Sequence, residues 1–165
     1  MELWDIYDAD KKITGRTMVR NDWNMKPGDY HLTVLAIVCN KEGNYLITRR
    51  SKTKGYAPGA WEISGGAVQA GEKSEDAIKR EIKEETGVDV SSFEGGYVGS
   101  YRRDNPEEKD NYFVDIYKFY GDIDEKDIRL QEKETDGYMF ATLEEINKFG
   151  EADNFLHYNS IKEYL

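Results

Sequence analysis

Between Gly66 and Val88 the chain reads GAVQAGEKSEDAIKREIKEETGV, and within it Glu81, Glu84 and Glu85 stand at i, i+3 and i+4. On an α-helix that spacing puts three carboxylates on one stripe. Like charges so placed repel, and a fold that keeps them together calls for a cation among them. The cluster offers hard oxygen ligands and no histidine, which favours Mg²⁺ or Mn²⁺ over zinc. Lys79, Arg80 and Lys83 interleave the acids, so taken alone the stripe also reads as a solvated helix face.

The surrounding sequence supplies the helix and its stops. Ser74 reads as an N-cap, Ile78 and Ile82 as the apolar face, and Gly87 as a left-handed terminator. Upstream, residues 3–7 and 13–19 read as short strands around the turn Asp8-Ala-Asp-Lys, and 21–30 as a polar connection. The apolar, β-branched run His31–Cys39 and the segment Tyr45–Arg50 flank the turn Asn40–Gly43 and predict a hairpin. Ser51–Ala60 is a loop, and Trp61–Ser64 a short strand before Gly65-Gly66. Downstream come strands at 96–102, 112–120 and 138–141, then helices at 143–149 and 158–165. Strands on both sides of a central helix, with more helix at the end, predict an α/β (α+β) fold: a mixed sheet covered on both faces. The strand 112–120 is dense in aromatics and suits either the core or the interface of a homodimer.

With 165 residues and no repeat, low-complexity tract or Pro/Ser linker, residues 1–165 read as a single domain, with an N-terminal hairpin (1–20) packed on it. A net charge of −10 and a pI near 4.8 argue against nucleic acid as a partner, which would require a basic face. No apolar run approaches the roughly 18 residues of a membrane span, and the acidic start MELWDIYDAD is not a signal peptide. Cys39 is the one cysteine, which excludes an internal disulfide and fits a reducing cytoplasm.

Gly66, Glu72, Arg80-Glu81-Ile82, Glu84-Glu85 and Gly87-Val88 match every fixed position of the Nudix box (66–88), without insertion or substitution. On these residues the chain resembles the Nudix hydrolase superfamily, and the flanking strands and loops extend the resemblance over most of its length. The resemblance implies an α/β/α sandwich and a hydrolase that cleaves a diphosphate linkage using Mg²⁺ or Mn²⁺. It implies Glu81, Glu84 and Glu85 as metal ligands, one doubling as base, with the Gly65 carbonyl as a further ligand. Arg80 would pair with Glu72 and hold the loop on the helix. Many family members draw another acid from a loop before the last strand; here the candidates are Glu132 and Glu134, with Glu132 preferred.

The implied partner is a small-molecule diphosphate, a nucleoside diphosphate derivative or a similar metabolite. Arg49 and Arg50 end a strand, so alternation lets one of them face the cleft and clamp a phosphate. Tyr56, Trp61, Tyr101 and Tyr112 are candidates to stack on a base or sugar. The N-terminal half, through DYHLTVLAIVCNKEGNYLITRRSKTKGYAPGAW, also resembles the isopentenyl diphosphate isomerase branch, with His31 where that enzyme has a metal-binding histidine. The departures decide against isomerisation: the loop after Pro58-Gly-Ala-Trp61 reads EISGGAVQAG, without the isomerase cysteine or its histidine. A non-catalytic nucleotide sensor is the third reading. The intact acidic stripe disfavours it, because a pure binder does not need three mutually repelling carboxylates.

Overall fold

The computed structural model describes all residues, Met1–Leu165. Its centre is β3 (His31–Cys39), whose run HLTVLAIVC lacks the polar alternation of a half-exposed strand. Leu32, Val34, Ala36 and Val38 point to one face and pack with Ile78 and Ile82 of α1 (Ser74–Thr86). Leu35, Ile37 and Cys39 point to the other, against Ile146 of α2 (Leu143–Glu151) and Ile161 of α3 (Tyr158–Ile161). Helices thus cover both faces of one sheet, as expected for an α/β/α sandwich.

Strand order in that sheet is β5-β4-β3-β8-β7, with β6 also pairing β3 and β9 pairing β4. These are β4 (Tyr45–Arg50), β5 (Trp61–Glu62), β6 (Ser64–Ala67), β7 (Glu94–Arg103), β8 (Tyr112–Tyr120) and β9 (Thr135–Ala141). Parallel pairing of β3 with β8, from His31↔Tyr112 to Cys39↔Tyr120, makes the sheet mixed. Because β8 lies between β3 and β7, its edges are not available to a second copy; Phe113, Tyr117 and Phe119 serve the core, while Tyr120 is exposed.

The expected hairpin of β3 and β4 is splayed. They share one paired position, Cys39↔Tyr45, because β6 occupies the same edge of β3 from Thr33 to Ala36. β4 pairs along its length with β9 instead. The expected strand 61–64 breaks at Ile63, which is 3% exposed, as the chain crosses from β4 to β3. Ser74 is not the cap of α1; that position falls to Lys73. The Ser74 hydroxyl instead donates to Asp115 at 2.7 Å and contacts the Tyr117 hydroxyl at 2.8 Å. The last predicted helix shortens to α3 followed by a 3₁₀ turn at Lys162–Tyr164, and a further 3₁₀ turn at Glu125–Asp127 lies in a stretch assigned no structure from sequence. No helix is long and apolar enough to cross a membrane.

The N-terminal strands β1 (Leu3–Tyr7) and β2 (Ile13–Val19) form a separate two-stranded ribbon. Paired backbone bonds between Tyr7 and Tyr30, at 2.7 and 2.9 Å, fasten it to the start of β3. Arg16 grips Asp29 through both guanidinium nitrogens, at 2.7 and 3.0 Å, and Lys11 reaches the buried Asp115. Trp4, 3% exposed, stacks on His31 with ring centroids 4.2 Å apart.

Helix α1 ends where Gly87 takes φ 80°, its N–H bonded to the Lys83 carbonyl. A Cβ at Gly87 would lie 2.6 Å from the Asp127 carbonyl oxygen. In urea melts, Ile82→Ala, which opens a cavity under α1, is expected to cost about 2–5 kcal/mol. Gly87→Ala is expected to cost at least about 1 kcal/mol, from left-handed strain plus the backbone clash. A neutral Gly87→Ala would contradict that terminator geometry.

Candidate active site

The site forms where β6 lies against α1. A Cβ built on Gly66 would overlap the Glu81 carboxylate, so the bare backbone there lets that side chain lie against the strand in its present position. One residue earlier, the Gly65 N–H donates a long bond, 3.4 Å, to Glu85 Oε1. Arg80 ties the junction together. Its Nε and Nη2 fork onto Glu72 at 2.8 and 2.9 Å, and Nη2 also reaches the Ala67 carbonyl at 3.3 Å. Its Nη1 touches Glu81 at 2.9 Å and Glu84 at 3.4 Å. One guanidinium therefore spans the loop, the strand and two of the three acids.

The environments of these carboxylates differ. Arg80 holds Glu72 below the ordinary carboxylate pKa. Burial raises Glu81, with Arg80 opposing. Glu85 is raised well above the ordinary value, first by burial and then by the charges of Glu81 and Glu62. Glu62 is raised by burial too, although Arg50 lies 3.1 Å away and opposes the shift. Glu84 is the open member, its side chain 48% exposed.

These groups line a cleft of about 750 Å³. Seven carboxylates face four cationic side chains there: Glu2, Glu62, Glu81, Glu84, Glu85, Asp110 and Glu134 against Arg20, Arg50, Lys54 and Arg80. A diphosphate entering such a cleft unaccompanied meets a net negative wall, so cations must accompany it. The N-terminal ribbon supplies part of that wall: Trp4 donates through Nε1 to Glu2 at 3.0 Å, and Arg20 pairs with Glu2 at 3.0 Å. Sequence reading missed Glu2 and Arg20, whose meeting depends on the register Leu3↔Val19. It also missed Glu62, Asp110 and His157. Of these, alternation from Ser64 places Glu62 and Ser64 on one side of the strand and offered a signal.

The remaining candidates separate clearly. Arg50 lines the cleft, donating to Glu62 and to the Tyr56 carbonyl at 3.0 Å. Arg49 turns away to Asp136 at 2.7 Å and lies over the Trp61 ring, the β4–β9 register shifting between the two arginines. Tyr56, Tyr101 and Tyr112 reach the cleft. Trp61 does not, because it stacks on Phe149 of α2 at 5.6 Å. On the loop before β9, Glu134 faces the cleft and pairs with Lys54, which holds it below the ordinary carboxylate pKa. Glu132 is exposed and lies off the cleft. His31 lines the cleft, its Nε2 2.8 Å from Asp110, with Nδ1 buried and unpartnered. Cys39 is buried and is not part of the cleft wall.

No three acidic, histidine or cysteine groups already surround one point; Arg80 engages Glu81 and Glu84, standing where the stripe calls for a cation. The donor set still fits a hard divalent ion in kind: carboxylates and backbone carbonyls, with no thiolate in the cleft. Glu85 in particular is buried between Glu81 and Glu62, with no cation among the groups that shift it.

Comparison with known proteins agrees with this geometry. The NUDIX domain family matches residues 29–163. An uncharacterised Nudix hydrolase of Listeria monocytogenes is 30% identical over 161 residues, covering 96% of this chain and 90% of its own. The nucleoside triphosphatase NudI of Escherichia fergusonii is 42% identical over 55 residues, 33% of this chain and 39% of its own. Among solved structures, DR0079 from Deinococcus radiodurans superposes with a TM-score of 0.70 at 24% identity, over 90% of this chain and 89% of that one. The NUDIX domain of Shewanella oneidensis NrtR, solved with ADP ribose, gives 0.58 at 16% identity, over 79% and 88%. Family match, full-length relative and intact acidic stripe together place this chain in the Nudix family, as a hydrolase of pyrophosphate linkages.

Proposed function

We propose that the protein is an Mg²⁺- or Mn²⁺-dependent hydrolase of a small diphosphate metabolite, held in the cleft between α1 and β6, acting in the cytoplasm. The observation that carries this is Glu85, a carboxylate pushed into a buried, negatively charged corner with no cation of its own. Glu81, Glu84, Glu85 and the Gly65 carbonyl would hold the divalent ions. Such ions neutralise phosphate charge and make bound water acidic enough to attack phosphorus.

The chain's own groups do the rest. Arg80, braced by Glu72, fixes the helix against β6 and keeps Glu81 and Glu84 on the cleft side. Glu134 is the acid from the loop before β9, poised at the rim through Lys54. Arg50 and Lys54 are the cationic groups at the far wall that would orient the diphosphate. Tyr56 closes over the same end. Residues 1–165 would work as one unit, because Glu2, Trp4 and Arg20 of the ribbon share the cleft with α1. Nothing in the cleft supports isomerisation, which requires a cysteine that this wall does not contain.

Metal-dependent cleavage is to be measured by phosphate or product release across a panel of diphosphate compounds. Glu84→Gln and Glu85→Gln should each lose at least about 100-fold in kcat, more than the 10–100-fold typical of outer-shell changes, with the circular dichroism spectrum retained. Full activity in both variants would sink the assignment.

Stability gives a second test. A folded-state pKa raised above its unfolded value means that the native protein binds the proton more tightly. Stability is then present below the ordinary carboxylate range and is lost as pH rises through the raised value. Without metal, Glu85→Gln should therefore melt higher than wild type at pH 8, the gap closing toward pH 4. Mg²⁺ should raise the melting temperature of wild type and leave the variant nearly unmoved. A variant less stable at every pH would show that Glu85 is not a penalised charge.

A further inference from the structure

The strand order ends on β7, at ten residues the longest strand of the sheet. Its inner edge pairs with β8 from Glu94↔Tyr120 to Arg103↔Tyr112. Its outer edge pairs with no strand, and no backbone bond from a turn or loop reaches residues 94–103. A free edge of this kind is a template for another strand, and folded chains blunt theirs by keeping them short, by spreading charge along them or by a bulge. β7 is long, and its middle, Gly95–Tyr101, holds no charged residue. Tyr97 and Val98, at its centre, keep 57% and 39% of their surface in water. Charge stands only at the ends, Glu94 at one and Arg102 and Arg103 at the other.

Opposite charges at the two ends suit one partner above others: the same strand of a second copy, running antiparallel. Residues directly opposite in such a pair must share a face of the sheet. Glu94 and Arg103 are nine positions apart, and plain alternation would put them on opposite faces. The bulge that β7 carries reverses this. Its register with β8 shifts between Tyr97 and Gly99, so Glu94 lies across from Tyr120 and Arg103 across from Tyr112, two β8 positions of the same parity. Glu94 and Arg103 therefore stand on one face. A twofold axis between Val98 and Gly99 then sets Glu94 against Arg103 of the second copy. It also sets Gly96 against Tyr101 of that copy and Tyr97 against its Ser100, every pair sharing a face by the same register. The bulge does not blunt this edge against itself; it makes the strand complementary to its own reverse.

We propose that two copies of the chain associate through their β7 edges, antiparallel about this twofold axis, with a Glu94–Arg103 ion pair closing each end of the ladder. The contact lies one strand outward from β8, where the aromatic run suggested an interface. It also reaches the site. Arg103 donates to the Tyr112 hydroxyl at 3.1 Å and lines a cavity of about 470 Å³ that shares Tyr112 and Asp110 with the cleft. Association thus brings an acid of the second copy to the edge of that cavity.

The test is sedimentation equilibrium on the full chain from about 1 µM to about 500 µM. The mass should rise from 19.1 kDa toward twice that value, with a dissociation constant of about 10–100 µM for an interface of this size. Glu94→Arg and Arg103→Glu each set like charges face to face at both ends, and each should weaken association about tenfold or more. Mixed in equal parts, the two variants regain attraction at both ends and should associate about as tightly as wild type. Both side chains are exposed, so neither replacement empties the core, and circular dichroism checks the fold. Amide exchange reads the same edge without any substitution: exchange within residues 94–103 should slow as the wild-type concentration rises. A monomer across the whole range would overturn the interface, as would association that neither variant weakens or a mixture that stays apart. Association with unchanged exchange in β7 would place the contact elsewhere and overturn it too.

Discussion

The site depends on one close approach, that of the Glu81 carboxylate to the backbone of Gly66. A strand and a helix normally stand apart by the thickness of their side chains; here the strand carries none at Gly66, and the acid lies directly on it. Arg80 then locks the junction by bonding Glu72, Ala67, Glu81 and Glu84 at once. The residues of the motif complement one another: a bare backbone for the acid, a planar fork for Glu72 and a compact stripe on one helix face. The apolar side of the same helix, with Ile78 and Ile82 fully buried, supplies the anchorage that holds such a repulsive surface in place.

Electrostatics divides the labour within the cleft. Each cationic side chain lining it is already engaged: Arg20 by Glu2, Arg50 by Glu62, Lys54 by Glu134 and Arg80 by its group of glutamates. These pairs are partly open to water, where an ion pair is weak, so an entering anion can compete for the cations. Glu85 is outside this scheme: burial and the charges of Glu81 and Glu62 disfavour its ionised form, and no cationic side chain opposes them. The site thus trades stability for affinity, a common feature of functional centres. The opposite shifts of Glu72 and Glu85, thirteen residues apart in one motif, follow first from burial, which raises Glu85, and from the Arg80 fork, which lowers the more open Glu72.

Legibility from sequence followed the range of the interactions. Helix α1 and its glycine stop rest on spacings of a few residues, and both could be read directly. β3 could be read from its unbroken apolar run, because burial on two faces leaves its mark on every position. The partnering of β4 with β9 could not, since Tyr45 and Ala141 are far apart in the chain and no local pattern records which edge β6 will occupy first. The same limit hid the choice between Glu132 and Glu134. A surface turn carries no periodicity, and only the position of Lys54 across the cleft distinguishes the two. For the arginine pair, alternation correctly allowed just one to face the cleft, while the register shift that selects Arg50 is a tertiary event. Trp61 misled because an aromatic beside a functional loop looks the same in sequence whether it meets a ligand or Phe149.

The ribbon formed by residues 3–19 extends the same reasoning beyond the family's core. The NUDIX family match begins at residue 29, yet Glu2, Trp4 and Arg20 stand in the cleft wall. The ribbon is not a loose appendage. Tyr7–Tyr30 backbone pairing and the Arg16–Asp29 fork fix it at the entry to β3, the Lys11–Asp115 contact fixes it on β8, and Asp115 in turn binds Ser74 at the start of α1. Ribbon and α1 thus share a buried carboxylate, and displacing one disturbs the footing of the other. The common core positions the diphosphate chemistry. The added ribbon, through Trp4 and its stack on His31, completes one side of the cleft wall, so the shape of the cleft depends on residues outside the family-matched segment.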